Sequence, residues 1–183
     1  MVCRILIFVA LFISSSQSSL LAQCSYEELF KASRAIVVGK AEKTLLVIDS
    51  KKMSEANEDL QKVEESVLGR LTFFKVEEII YAEKKTKIDR TVLVYVPKGY
   101  WADNSFPRFK NDERYLLFLT TLQVETNFEN AVISNLDGNG ETSKFDSQTA
   151  FAPTKNNHGV IQLTESNEVI LNQIRKLVIL QNE

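Results

Sequence analysis

The chain has 183 residues, 44% of them hydrophobic and 25% charged, which fits one globular domain with an ordinary core once a leader is set aside. Its 22 Lys and Arg face 24 Asp and Glu, a net charge of −2, so there is no basic excess to hold a phosphate backbone and nucleic acid is not an expected partner. The two cysteines, Cys3 and Cys24, are too few for a metal site built of several thiolates, and with Cys3 in the leader no disulfide can close within the mature chain.

Met1 to Gln23 has the three parts of a signal peptide: Arg4 as the positive start, the unbroken apolar run Ile5 to Ile13 (ILIFVALFI), and the polar stretch Ser14 to Ser19 (SSSQSS). The run is about half of the roughly 20 residues that span a bilayer, which argues against a membrane anchor. Cleavage is expected after Ala22 or Gln23. Leu21-Ala22-Gln23-Cys24 also resembles a lipobox, which would place a lipid on Cys24. The expectation is therefore a leader over 1–23 and a single domain over 24–183. The mature chain would be secreted, periplasmic or envelope-bound, and attached to a membrane only if Cys24 is lipidated.

Ser25 to Lys31 (SYEELFK) predicts a short helical turn, with Ser25 as N-cap and Glu27 and Glu28 in the first turn, where the helix dipole favours acids. Arg34 to Lys40 (RAIVVGK) is a β-branched run with Gly39 marking a bulge or sharp bend, and Leu45 to Ile48 continues it. Asp49 to Glu65 is highly charged and thinly apolar. It predicts either a solvated loop or a short exposed helix on a Leu60, Val63, Val67 stripe, with a contact loop as the functional reading.

Val67 to Tyr81 returns to strand chemistry, with Leu71, Phe73 and Lys75 on one face and Thr72, Phe74 and Val76 on the other. A Lys-rich turn follows over Ala82 to Arg90. Thr91 to Val96 (TVLVYV) is a strand stopped by Pro97 and Gly99. Tyr100 to Arg108 is an aromatic loop. Arg114 to Thr120 (RYLLFLT), the strongest apolar run after the leader, predicts a central strand. Asn130 to Asn135 and Val160 to Leu163 are shorter strand candidates. Thr164 to Leu180 predicts a helix capped by Thr164 and Asn167, with Val169, Ile170, Ile174, Leu177 and Val178 as its apolar stripe. Five or six consecutive strands without intervening helices exclude a doubly wound parallel sheet and favour a small closed or partly open barrel.

Little in the chain points to catalysis. His158 is the only histidine and sits in a polar loop, and no G-x-S-x-G elbow occurs to supply a nucleophile. Asp137, Asn139 and Glu141 have calcium-loop spacing, but Thr142 stands where the glycine belongs and Gln148 where the bidentate glutamate belongs, so a tight turn explains them. Glu64-Glu65 and Glu77-Glu78 are sequence neighbours, which on a strand point to opposite faces and form no acid/base pair. No cofactor, metal or catalytic residue is expected. The best contact site is the aromatic group Tyr100, Trp101, Phe106 and Phe109 with Arg108 and Lys110 beside it. Aromatics on loops anchor binding, although the same group would also serve as a lid on the barrel mouth.

The order of these pieces resembles a known family. Cys24 opens the mature chain, a helical turn follows, and then come RAIVVGKAE (Arg34 to Glu42), LTFFKVEEIIYAE (Leu71 to Glu83), TVLVYVP (Thr91 to Pro97) and ERYLLFL (Glu113 to Leu119). This is similar to the OB-fold of the tissue inhibitors of metalloproteinases and the netrin-like modules, above all their bacterial-type relatives. The resemblance implies a mainly β, OB-like Greek-key barrel of five or six strands with a C-terminal α-helix. It further implies that the amine and carbonyl of Cys24 would chelate the zinc of a secreted metalloproteinase. The family pins that cysteine with disulfides and a Cys-x-Cys opening. Here Ser25 and Tyr26 follow it, and no partner thiol exists. The expected function is thus an exported, non-enzymatic binding module with a protein partner, the alternative being a metalloproteinase inhibitor acting through Cys24.

Overall fold

A computed structural model describes residues 25–57, 59–100, 109–122, 128–135, 142–154 and 156–181. In chain order the elements are α1 (Tyr26–Ala32), β1 (Ala35–Asp49), α2 (Ser50–Glu55), α3 (Leu60–Ser66), β2 (Val67–Ala82), β3 (Thr91–Pro97), β4 (Arg114–Thr121), β5 (Ala131–Ser134), β6 (Ser143–Lys144), β7 (Ala150–Pro153), β8 (Val160–Gln162) and α4 (Val169–Gln181). The expected leader and the turn expected at Asp137 to Gly140 lie outside the described residues.

The strands form one sheet in the order β6-β5-β1-β2-β3-β7-β4-β8, and an added β1–β4 pairing closes β1, β2, β3, β7 and β4 into a ring. The ring is antiparallel except at β3–β7, which is parallel at Leu93↔Ala150 and Val94↔Phe151. The chain is therefore a mainly β protein with an OB-like five-stranded barrel, extended by β5, β6 and β8 and finished by a C-terminal helix.

Alternation sends one side of each strand into the ring. Val37 and Ala41 of β1, Phe74 of β2, Val92, Val94 and Val96 of β3, and Tyr115, Leu117 and Leu119 of β4 fill it. The outer side of β1 and β4 (Ile36, Val38, Leu116, Phe118) is covered by Leu29 and Phe30 of α1 and by Leu171, Ile174 and Val178 of α4. A third cluster, Val47, Leu71, Tyr95, Ala131, Phe145 and Ala150, covers the outside of β2 and β3. Both faces of the central strands are thus buried, which accounts for the imperfect alternation of β2 and the unbroken apolar run of β4.

Gly39 marks a real irregularity: the β1–β2 register shifts between Val38 and Gly39 and again between Ala41 and Lys43. Gly69 is needed for packing. A Cβ there would lie 2.4 Å from the Tyr95 ring, whose hydroxyl donates to the Leu68 carbonyl at 2.9 Å. Burial pushes that phenol far above its ordinary range.

The charged segment after β1 folds as α2 and α3, capped by Asp49 and Asp59. Leu60 is 83% exposed, so the Leu60, Val63, Val67 stripe buries no common face. The C-terminal helix differs from expectation at its start. Glu165–Asn167 is a 3-10 turn and the α-helix begins at Val169. The Thr164 N–H donates to Asn167 Oδ1 at 2.7 Å and the Asn167 N–H to the Thr164 carbonyl, which tightens this entry into a 3-10 turn.

Ion pairs clamp α4 to the barrel. Arg175 donates twice to Glu78 of β2, at 2.9 and 2.6 Å, and Arg114 of β4 bridges Glu77 at 2.7 Å and Glu168 at 3.0 Å. The Arg175 hydrogen bonds hold the Glu78 carboxyl below its ordinary value, against the opposing effect of burial. A carboxyl depressed in the folded chain adds stability that is complete above its unfolded value and fades as pH falls through the folded one. Glu78→Gln is therefore expected to flatten the loss of stability on acidification below pH 4.5, as read by urea unfolding at stepped pH; an unchanged profile would show that the pair is energetically silent.

Leu117 is fully buried in the ring. Leu117→Ala is expected to cost about 2–5 kcal/mol of unfolding free energy, and a loss below about 0.5 kcal/mol would refute a central position for β4.

Candidate functional site

Of the residues singled out from the sequence, Cys24, Trp101, Phe106 and Arg108 lie outside the described residues, as does the side chain of Tyr100, whose backbone ends a 3-10 turn at Lys98–Tyr100. Phe109 is described. It is half-buried and stands edge-on to Phe74 at 4.8 Å and to Tyr115 at 5.2 Å between ring centroids. Phe74 and Tyr115 are themselves edge to face at 5.8 Å, so three aromatic rings close one end of the barrel. The Tyr115 hydroxyl accepts from the Lys110 N–H at 2.9 Å and donates to Glu113 at 3.3 Å. Burial pushes this phenol up. Glu113 in turn accepts from the Gln162 amide of β8. Lys110, expected to flank a contact surface, ends up 3.4 Å from Glu113 Oε1.

His158 is half-buried in the 3-10 turn Asn156–Gly159, just ahead of β8. Its neighbour Gly159 is held among backbones: a Cβ there would lie 2.4 Å from the Thr154 carbonyl and 2.9 Å from that of Phe118. Thr154 is buried and hydrogen-bonds Ser33 side chain to side chain at 3.0 Å. Among the described residues no group of three or more His, Cys, Asp or Glu is placed to hold a metal.

A second place draws attention that the sequence did not signal. The start of α1 and the middle of α4 leave a groove of about 460 Å³ lined by Ser25, Tyr26, Glu27, Gln173, Ile174 and Leu177. It is mostly open to solvent, and its lining is mixed, with Tyr26, Ile174 and Leu177 apolar and the other three polar. Local chemistry fixes its α1 wall. The Ser25 side chain accepts from the Glu28 N–H at 3.2 Å, and the Glu28 carboxylate accepts from the Ser25 N–H at 3.0 Å, a reciprocal capping box. Leu29 and Phe30 then bind α1 to the barrel, with Phe30 against Tyr81 at 4.8 Å. Residues 25–27 and 173–177 are about 150 positions apart, which is why no sequence window contains the groove. The Ser25, Glu28 spacing was its one legible part.

If Phe109 works as a plug, Phe109→Ala should lower stability by about 1–3 kcal/mol, less than a fully buried Phe because the ring is half-exposed. Unfolding curves within 0.5 kcal/mol of the parent chain would show instead a ring that the barrel does not need.

Comparison of the chain with protein-family models, with curated proteins and with solved structures finds no match.

Proposed function

We propose that this chain is an exported, non-enzymatic binding module whose recognition surface is the face around its mature start. The observation that carries the reading is the groove between α1 and α4, which begins at Ser25, one residue after the cysteine expected to open the mature chain. Two further features support it. The barrel interior is occupied by apolar and aromatic side chains, the composition of a scaffold. The charged groups along its flank, Arg114, Glu77, Glu168, Arg175 and Glu78, pair with one another, as structural ion pairs do.

Inhibition of a metalloproteinase through Cys24 is a second reading, and the capping box favours it. A chelating terminus must be ordered before it binds, or the ordering entropy is lost from affinity. Ser25, next to Cys24, is already held by Glu28, a pin that does not need a disulfide. The amine and carbonyl of residue 24 would then occupy the open position of a catalytic zinc.

Mass analysis of the N-terminus after expression in an exporting host tests the first reading. The expected product starts at Gln23 or Cys24 and is recovered outside the cytoplasm; a chain that keeps Met1 and stays inside would end it. For the second, chains starting at Cys24 and at Gln23 are compared on a zinc protease. Chelation by residue 24 requires that the added Gln23 abolish inhibition and that Glu28→Gln weaken it several-fold. Equal inhibition by both chains excludes chelation by that residue.

A further inference from the structure

We infer that the lysine-rich loop between β2 and β3, residues 83–90, is a binding surface for a linear polysaccharide that carries carboxylate or sulfate groups. This surface is separate from the groove at Ser25 and does not depend on where the mature chain begins. Lys84, Lys85, Lys87 and Arg90 are all exposed in the loop. Arg34 and Lys75, also exposed, stand at its two ends. The Glu83 N–H donates to the Arg34 carbonyl at 2.9 Å, and the Val76 N–H, next to Lys75, donates to the Arg90 carbonyl at 2.9 Å. The carboxylates in the loop are Glu83, 3.7 Å from Arg34, and Asp89, 3.3 Å from Lys87. Among the described residues no carboxylate lies within ion-pair distance of Lys75, Lys84, Lys85 or Arg90. Six cations against two carboxylates thus line one loop of a chain whose net charge is −2. The excess acid lies elsewhere, and at physiological salt a Debye length of about 8 Å lets the loop act by its own sign.

The shape of the loop selects the occupant. It leaves β2 after Ala82 and enters β3 at Thr91, opposite Lys75, so it runs back along β2 for about 20 Å. It is held on the way: the Thr86 N–H donates to the Glu83 carbonyl at 2.8 Å, and Ile88 packs against the core of the ring. Cations already fixed in a row lose less ordering entropy on binding. Spread over that length they do not converge on one small anion, and they match a chain with anions at intervals. Lysine suits such a contact because its ammonium is a point charge without a demanded geometry, and short runs rich in Lys and Arg are the footprint of polyanion binding. A partner protein fits poorly, since interface cores are depleted in Lys and anchored by buried aromatic side chains. The loop has no aromatic residue, and its one large apolar side chain, Ile88, is used by the core. Ile79 on β2 is 50% exposed, a single apolar side chain of the kind most surfaces carry. The same lack leaves nothing to enter a bilayer and no ring on which nucleic-acid bases stack. An anionic polysaccharide asks only for spaced cations.

The test measures binding of the full chain to dextran sulfate and to polygalacturonate, one carrying sulfate and the other carboxylate, with uncharged dextran as the blank. The chain is expected to bind at least one of the two charged polymers and not the blank, and to lose about tenfold or more in affinity between about 50 and 200 mM salt. The triple variant Lys84→Gln/Lys85→Gln/Lys87→Gln is expected to bind about tenfold more weakly. Lys51→Gln/Lys52→Gln/Lys62→Gln removes the same charge from exposed positions on α2 and α3 and is expected to bind as the parent does. Acetylation of the parent chain gives a readout free of any folding defect in the variants: bound polymer should protect Lys84, Lys85 and Lys87 and leave Lys51, Lys52 and Lys62 reactive. Failure to bind either charged polymer, equal losses in the two triple variants, or unprotected lysines in the loop would each overturn the inference. Tighter binding to polyglutamate or to duplex DNA than to both charged polysaccharides would overturn it too, since the loop would then serve an acidic protein segment or a nucleic acid.

Discussion

The fold depends on one strand being paired along both edges. β1 meets β2 from Ala35 to Ile48, meets β4 from Ala35 to Lys40, and meets β5 from Leu46 to Asp49. Its first half belongs to the ring and its second half to the outer sheet. A straight strand would not do both, and the two register shifts around Gly39 to Lys43 bend it. Glycine suits the bend because a Cβ at position 39 would press against the Lys75 carbonyl and Phe74 Cβ, both at 3.3 Å. Phe74 is the ring that packs against Phe109 and Tyr115, so the bend and the aromatic closure of the barrel share one crowded spot.

Three apolar clusters follow from that division. The ring interior is one, and the second forms where α1 and α4 cover the outside of β1 and β4. The third gathers Tyr95, Phe128 and Phe145, with centroids 4.9 to 5.4 Å apart, over the outside of β2 and β3. Covering a small barrel on two sides gives it more buried apolar surface than its interior alone supplies, so the chain can stand on packing without a disulfide. Exposed ion pairs add little by themselves, and their part is to orient α4: Arg114 and Arg175 reach it from β4 and from its own surface, and both end on adjacent glutamates of β2. Glu77 and Glu78, neighbours on the strand, thus each meet a different arginine.

The same packing places the groove. α1 and α4 are brought together because both need the apolar outer face of β1 and β4, and the gap left between them opens at Ser25. A surface of this kind is set by docking geometry rather than by any motif. Phe109 shows the converse. As part of an aromatic loop it read as a recognition anchor or a lid, and its rings-edge contacts in the barrel mouth come from the tight turn at Asp112, whose φ of 67° reverses the chain into β4.

What the sequence determined by itself was everything carried by short-range chemistry. The α1 cap at Ser25, the Gly39 irregularity, the long strands β1 and β2, the buried run of β4 and the terminal helix each follow from period, propensity or a capping residue. What the tertiary structure decided was closure. β7 (Ala150–Pro153) has four residues and ends in proline, too short for alternation to register, and yet it joins β3 in parallel and β4 antiparallel to complete the ring. The two-residue β6 was equally silent. Such strands exist because neighbouring edges offer unpaired backbone groups that must be satisfied, a demand written in the rest of the fold and not in the strand's own residues. The groove between α1 and α4 has the same origin: its two walls are fixed locally, and only their packing on a common face brings them side by side.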